Sequence, residues 1–171
     1  MVYGGAEELR VRGYTDASFQ TDRDDFTSQS GFGFSLNGGA VSWRSSKQDK
    51  VADSTCEADY MAAGMAAKEA VWLRKFIDEL GVVPSIADPI DLYCDSTGAI
   101  ALAKEPRSHQ QSKHIQRKYH LIREFAAWGD VHLCKVSTLE NMADPLTKAL
   151  SQQKHDGHTS SMGIRHMSDW L

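Results

Sequence analysis

The stretch Ile90-Asp91-Leu92-Tyr93-Cys94-Asp95-Ser96-Thr97-Gly98 is an apolar run of strand character that ends on an acid, followed by small polar residues and a glycine. A buried strand that delivers a charged side chain to the edge of a sheet has this pattern. Three other acids sit at equivalent seams: Asp16 in Tyr14-Thr15-Asp16-Ala17-Ser18, Glu57 in Ser54-Thr55-Cys56-Glu57, and Asp144 in Asn141-Met142-Ala143-Asp144. Each falls where a predicted strand ends or a predicted helix starts. Four such acids brought together would form a site for hard divalent cations, which take oxygen ligands.

Outward from Asp95, the chain alternates between the two periodicities. Residues 9–19 read as a strand with Leu9, Val11 and Tyr14 on the buried side, and the polar run 20–29 reads as a loop. Gly31 to Leu36 and Ala40 to Trp43 are strand-like, and Asn37-Gly38 between them is a hairpin signal. A basic loop is expected over 44–50. Residues 55–80 form a long helix, with Ala66, Ala70, Leu73, Ile77 and Leu80 as its apolar stripe, Ser54 as N-cap, and Gly81 then Pro84 as stops. Short and long helices are expected over 99–103 and 111–127, a strand over 131–136, and a last short helix over 141–150 with Pro145 in its first turns. The result is an α/β layer fold, a mixed sheet with helices on its faces. We divide the chain into a flexible segment 1–8, one domain 9–150, and a polar tail 151–171 to which no element is assigned.

Composition sets the outer bounds. With 171 residues, 41 % of them apolar and 25 % charged, the chain is one soluble globular domain. No apolar run approaches the ~20 residues of a membrane span, and no signal-peptide pattern is visible at the start. Cys56, Cys94 and Cys134 have no metal-type pairing and read as reduced residues of an intracellular protein. The net charge of −4 argues against nucleic acid, but the charge is uneven. Lys104, Arg107, Lys113, Arg117, Lys118 and Arg123 stand against Glu105 alone, with His109, His114 and His120 among them. Arg44, Lys47 and Lys50 form a second group. Such stripes are either solvated faces or a phosphate-binding surface beside the carboxylates.

Each acid also has a structural explanation. Ser54-Thr55-Cys56-Glu57 is a capping box, in which Glu57 reaches back to the helix start. Asn141 and Asp144 could cap the last helix in the same way. Taken together the four favour a site. If the first and fourth strands are neighbours, Asp16 and Asp95 lie side by side, with both helix starts pointing at them. Unshielded carboxylates would repel strongly, so a cation is implied. Two Mg2+ ions ~3.5–4 Å apart would make a site for phosphodiester hydrolysis.

The stretches Tyr14-Thr15-Asp16-Ala17, Ala40-Val41-Ser42-Trp43, Ser54-Thr55-Cys56-Glu57-Ala58, Lys68-Glu69-Ala70-Val71-Trp72-Leu73-Arg74, Cys94-Asp95, Lys113-His114-Ile115 and Ala143-Asp144-Pro145-Leu146-Thr147-Lys148 closely resemble, in order, the ribonuclease H domain of copia-type LTR retrotransposon polyproteins. The resemblance covers about residues 14–150. It implies the ribonuclease H fold, a five-stranded mixed sheet with its first three strands antiparallel. It also implies cutting of the RNA strand of RNA–DNA hybrids with two Mg2+ ions, or Mn2+ in their place, beside the reverse transcriptase domain of the same polyprotein. The expected setting is an intracellular, cytoplasmic retrotransposon particle. The family's acidic tetrad, which is both its catalytic and its metal-binding set, falls on Asp16, Glu57, Asp95 and Asp144. Asp59 stands where the family usually has Glu and Gln116 where it commonly has Asp, both read as lying outside the tetrad. The loop Ser137-Thr138-Leu139-Glu140-Asn141 lacks the mobile histidine that cellular ribonucleases H carry there, and His132 reads as a structural strand residue.

On this reading Ser18, Ser54, Thr55, Ser96 and Asn141 are the expected donors to 2′-hydroxyls. Lys113, His114, Arg117 and Lys118 would hold phosphates without reading sequence, and Arg44, Lys47 and Lys50 would touch the other strand. Two kinds of rival remain. One is another nuclease of the same fold. The other is a catalytically weak or domesticated hybrid-binding module that depends on a polymerase partner.

Overall fold

The computed structural model describes residues 9–81, 83–105 and 117–165, without the side chains of residues 84, 85, 117 and 118. Among the described residues a five-stranded sheet has the order β3-β2-β1-β4-β5. The strands are β1 Val11–Ser18, β2 Gln29–Leu36, β3 Gly39–Lys47, β4 Ile90–Cys94 and β5 Val131–Lys135. β1, β2 and β3 pair antiparallel, whereas β4 runs parallel to both β1 and β5. The helices are α1 Thr55–Leu80, α2 Thr97–Lys104, α3 Arg117–Ala127 and α4 Gln152–Ser161. The mixed sheet expected from the sequence is therefore present.

Asn37 and Gly38 form the two-residue hairpin loop, both at positive φ (51° and 76°), the backbone that matches the twist of the flanking strands. β3 runs further than expected, to Lys47, because the basic and hydroxyl residues read as a loop form an exposed edge strand. Charged edges are a common guard against unwanted strand pairing. α1 matches its expected bounds. Ser54 caps it, accepting from the Glu57 amide at 3.2 Å, and Gly81 ends it in the left-handed conformation. Ala58, Ala62, Ala63, Ala66, Ala67 and Ala70 are all buried, so a line of small side chains lets α1 lie close on the sheet.

The main core lies between that helical layer and one face of the sheet, around Phe34, Tyr60, Met61, Leu92, Ile122 and Leu133. The other face carries Arg12, Tyr14, Asp91, Tyr93, His132 and Cys134, with Tyr14 stacked on Tyr93 at 5.1 Å. A small second cluster of Ala40, Met142 and Met162 packs there beside Tyr14.

Two expectations about the C-terminal part change. No helix forms over 141–150; Thr138–Glu140 and Asp144–Leu146 are short 3-10 turns instead. The cause is Asn141, which is fully buried: its Nδ2 donates to the Thr15 carbonyl at 3.0 Å and its Oδ1 accepts from the Ala143 amide at 3.2 Å. That pairing ties the segment to β1 and uses the side chain that would otherwise cap a helix. The polar stretch after Ser151 does contain a helix, α4, docked where the Ala40 amide donates to the Met162 carbonyl at 2.9 Å.

Gly31 sits opposite Asp16 in the β1–β2 register, and a Cβ on it would come within 2.7 Å of Thr147 Cγ2 and 2.8 Å of Leu146 Cβ. The strand needs glycine there so that the 144–148 turn can close over Asp16. Gly31→Ala should therefore lower unfolding free energy by about 1–3 kcal/mol. Urea denaturation of the two proteins would measure it.

Candidate active site

Asp16 and Asp95 are brought together by parallel pairing. Thr15 is in register with Cys94, and the next step along both strands is the acid pair. Asp16, Asp59 and Asp95 offer carboxylate oxygens that all lie within 4.8 Å of one another. Asp16 is 2 % exposed, and Asp59 and Asp95 are partly buried. Asp144 stands beside this group, tied to it by Lys148, whose Nζ lies 2.7 Å from Asp144 Oδ1 and 3.2 Å from Asp16 Oδ2.

The structure treats Glu57 and Asp59, the acids at the start of α1, differently. Glu57 occupies the third helical position and its Oε2 accepts from the Asp53 amide at 2.9 Å, closing the reciprocal cap with Ser54. The three-carboxylate group has Asp59 instead, whose Oδ1 accepts from the Ala17 amide at 3.1 Å. Residues two apart on a helix point in different directions, so Glu57 and Asp59 do not share a face. The signal that separates them was in the sequence. The apolar stripe of Ala66, Ala70, Leu73 and Ile77, carried back by steps of three and four, passes through Ala63 and reaches Asp59, not Glu57.

A set of hydroxyl and ammonium donors holds the acids. Thr138 Oγ1 donates to Asp95 Oδ2 at 2.7 Å, Thr147 donates to Asp16, and the Lys135 ammonium reaches the Asp95 carbonyl. Thr138, Thr147, Lys148 and Asp59 were not among the residues expected at the site. The histidine-free loop thus supplies Thr138. His158 of α4, itself buried, lines a cavity of about 600 Å3 together with Thr138, Glu140 and Asp144.

Burial and mutual repulsion dominate the electrostatics. Asp59 is pushed up to about 7 by burial first, then by Asp16 and Asp95, against hydrogen bonds from Ser96 and Ala17. Burial likewise raises Asp16, with Thr147 and Lys148 partly countering it. For Lys148, burial favours the neutral form, but Asp144 and Asp16 outweigh it and its pKa is raised. An all-oxygen donor set under this strain fits a hard divalent cation.

The other expected contacts divide. Ser54 and Ser96 cap α1 and α2, and Ser96 Oγ accepts from the Ala99 amide at 3.3 Å. Ser18 is partly buried beside the acids, and Thr55 is exposed at the start of α1. Asn141, expected as a donor to the RNA, is buried and paired at both ends of its amide, with the Thr15 carbonyl and the Ala143 amide. Lys47 pairs with Asp22 at 2.7 Å and Asp25 at 2.6 Å, whereas Arg44 and Lys50 are exposed. Arg44, Lys47, Lys68 and Trp72 line a cavity of about 530 Å3 between β3 and α1. Lys113 and His114 lie outside the described residues, as do the side chains of Arg117 and Lys118.

A sheet of this order, with acids at the β1 and β4 ends and on the helix above, defines a ribonuclease H-like domain. Its fold is similar to that of ribonuclease H1 LC11 isolated from compost by a metagenomic approach, with a TM-score of 0.54 at 17 % identity, covering 81 % of this chain and 92 % of that one. No family model matches the chain. It is 41 % identical to the retrovirus-related Pol polyprotein from transposon TNT 1-94 of Nicotiana tabacum and 35 % identical to that from transposon RE1 of Arabidopsis thaliana, each over 91 % of its length. The chain belongs to the retrotransposon Pol polyprotein family, and its fold is that of ribonuclease H domains. It spans only 11 % and 10 % of the length of those two relatives.

The raised Asp59 predicts a pH dependence. Its ordinary value is 3.8, so between about pH 4 and pH 7 the folded protein holds a proton that the unfolded chain has released. Stability is then full below about pH 4 and is lost as pH rises through about 7. In chelator, the melting temperature should fall between pH 5 and pH 8 by on the order of 5–10 °C. Asp59→Asn should flatten the slope, and Mg2+ should restore wild-type stability at pH 8. Calorimetry at the two pH values checks all three.

Proposed function

We propose that the chain is an active ribonuclease H that hydrolyses the RNA strand of RNA–DNA hybrids made by the reverse transcriptase of its own polyprotein. The products carry 5′-phosphate and 3′-hydroxyl ends. The observation that carries the reading is the convergence of Asp16, Asp59 and Asp95 within 4.8 Å, with Asp144 alongside. Family membership supports it, and we place the enzyme in the intracellular particle where reverse transcription occurs.

Asp16, Asp59 and Asp95 would hold the divalent cations, with Asp144 completing the set. Bound there, two Mg2+ ions, or Mn2+, would neutralise the phosphate and activate both the attacking water and the leaving oxygen. The chain's own residues do the rest. Thr138 and Thr147 fix the rotamers of Asp95 and Asp16, so the acids are in place before substrate arrives. Lys148 places an ammonium against Asp16 and Asp144 and partly counters the burial that raises Asp16. Glu57 holds the start of α1 and thereby the height of Asp59 above the sheet. Arg44, Lys50 and Lys68 at the β3–α1 rim supply cations for the phosphates of the partner strand, in a protein whose net charge is −4.

The test is cleavage of a 5′-labelled RNA presented as hybrid, as RNA duplex and as single strand, in Mg2+, Mn2+ or chelator. Hybrid-only, metal-dependent cutting is expected. Asp16→Asn, Asp59→Asn and Asp95→Asn should each reduce it by at least about 100-fold. Glu57→Gln should leave the rate within a few-fold of wild type, at a stability cost of about 1 kcal/mol. Loss of activity in Glu57→Gln with Asp59→Asn unaffected would reverse the assignment of the two acids. Intact hybrid binding with no cutting, even after the polymerase domain is added, would leave a binding module.

A further inference from the structure

The open face of the sheet carries a second cluster with different donor chemistry. His132 and Cys134 alternate on β5 and so point to the same side, and Asp91 on β4 is in direct register with His132. His132 Nδ1 lies 3.0 Å from Asp91 Oδ1, Cys134 Sγ lies 3.5 Å from that same Nδ1, and Cys134 Sγ lies 3.6 Å from Asp91 Oδ1. The side chains are open to solvent, His132 at 63 % and Asp91 at 33 %.

We infer that Asp91, His132 and Cys134 form a binding site for a late first-row divalent cation, Zn2+ by preference, with its fourth position open to water.

Three features carry this. First, the separations fit. Bonds of about 2.0–2.3 Å from zinc to oxygen, nitrogen and sulfur at tetrahedral angles give donor–donor edges of about 3.3–3.6 Å. The three atoms already stand close to those edges, so a cation could enter with little movement. Second, one imidazole nitrogen faces both partners. A hydrogen-bonded relay would use Nδ1 for one partner and Nε2 for the other, whereas a surface ion pair would need only His132 and Asp91. A thiol and a carboxylate aimed at one nitrogen describe a common centre. Third, the donor set is selective. Sulfur and nitrogen favour zinc, cobalt or copper over Mg2+, while the all-oxygen group of Asp16, Asp59 and Asp95 has the reverse preference. Asp91 lies four residues before Asp95 along β4, roughly 13 Å at strand rise, so one cation cannot serve both. On binding, the Cys134 thiol releases its proton to solvent and coordinates as thiolate, and His132 coordinates through neutral Nδ1.

The test uses the whole chain, stripped of metal and held in excess Mg2+ so that the oxygen site is saturated. Titrated Co2+ should give a near-ultraviolet thiolate charge-transfer band and tetrahedral visible bands that saturate at one equivalent, and one equivalent of Zn2+ should abolish them. Cys134→Ser should remove the charge-transfer band, and His132→Asn should weaken binding at least about tenfold. Cys56→Ser and Asp95→Asn should leave the bands unchanged. In wild type, Zn2+ should protect Cys134 from a thiol-alkylating reagent, read by mass spectrometry, which needs no variant to fold. A band that is absent, that survives Cys134→Ser, or that fails to protect Cys134 overturns the inference. These readouts do not depend on nuclease activity, so failure here is distinct from failure of the ribonuclease assignment.

Discussion

The parallel pairing of β1 with β4 is the constraint from which this molecule is built. It places Asp16 and Asp95 at adjacent strand ends, and α1 adds Asp59 from above. Three carboxylates partly withdrawn from water destabilise the fold unless something offsets them. The surroundings read as that offset. Thr138 and Thr147 donate to two of the acids, the Ala17 amide to the third, and Lys148 places an ammonium between Asp16 and Asp144. Close packing supports the same end. Gly31 lets the 144–148 turn lie over β2, and Gly98 lets the start of α2 come against Cys56 of α1, where a Cβ would meet sulfur at 2.7 Å. Local stability is given up at the strand ends so that charge can be concentrated there.

α1 connects this site to the core. Its 26 residues carry buried alanines against the sheet and Leu73 and Ile77 further along, so its axis is fixed by packing over several turns. A cap at one end, made by Ser54 and Glu57, then fixes where the helix starts and how far Asp59 stands from β1. The two acids at the start of α1 therefore work on different levels. Glu57 belongs to local structure and Asp59 to the site, and the 3.6-residue period is what separates them.

The two faces of the sheet have divergent characters. One is sealed by helices into a single apolar core. Among the described residues the other is only partly covered, by α4 near Ala40 and Met142, and leaves Tyr14, Tyr93, Asp91, His132 and Cys134 along β1, β4 and β5. Alternation along a strand makes this division automatic: Ile90, Leu92 and Cys94 enter the core while Asp91 and Tyr93 turn outward. Two groups of possible metal donors thus share β4, one at its end and one on its open face, and differ in hardness.

Much of this was legible in the chain itself. The Asn37-Gly38 turn, the period of α1 with Ser54 and Gly81 at its ends, and the apolar run ending at Asp95 are local signals, and each element formed where it was expected. Asp16 and Asp95 were legible as a pair because a strand that ends on an acid has few other uses. What the sequence could not decide is what depends on a distant partner. Asn141 looks like a helix cap until the Thr15 carbonyl, 126 residues away, takes its amide. The basic run 44–47 looks like a loop until β2 pairs with it. Local pattern specifies an element through neighbours a few residues apart. The role of a polar side chain is set by whichever group burial leaves within hydrogen-bonding reach, and that is a property of the folded chain.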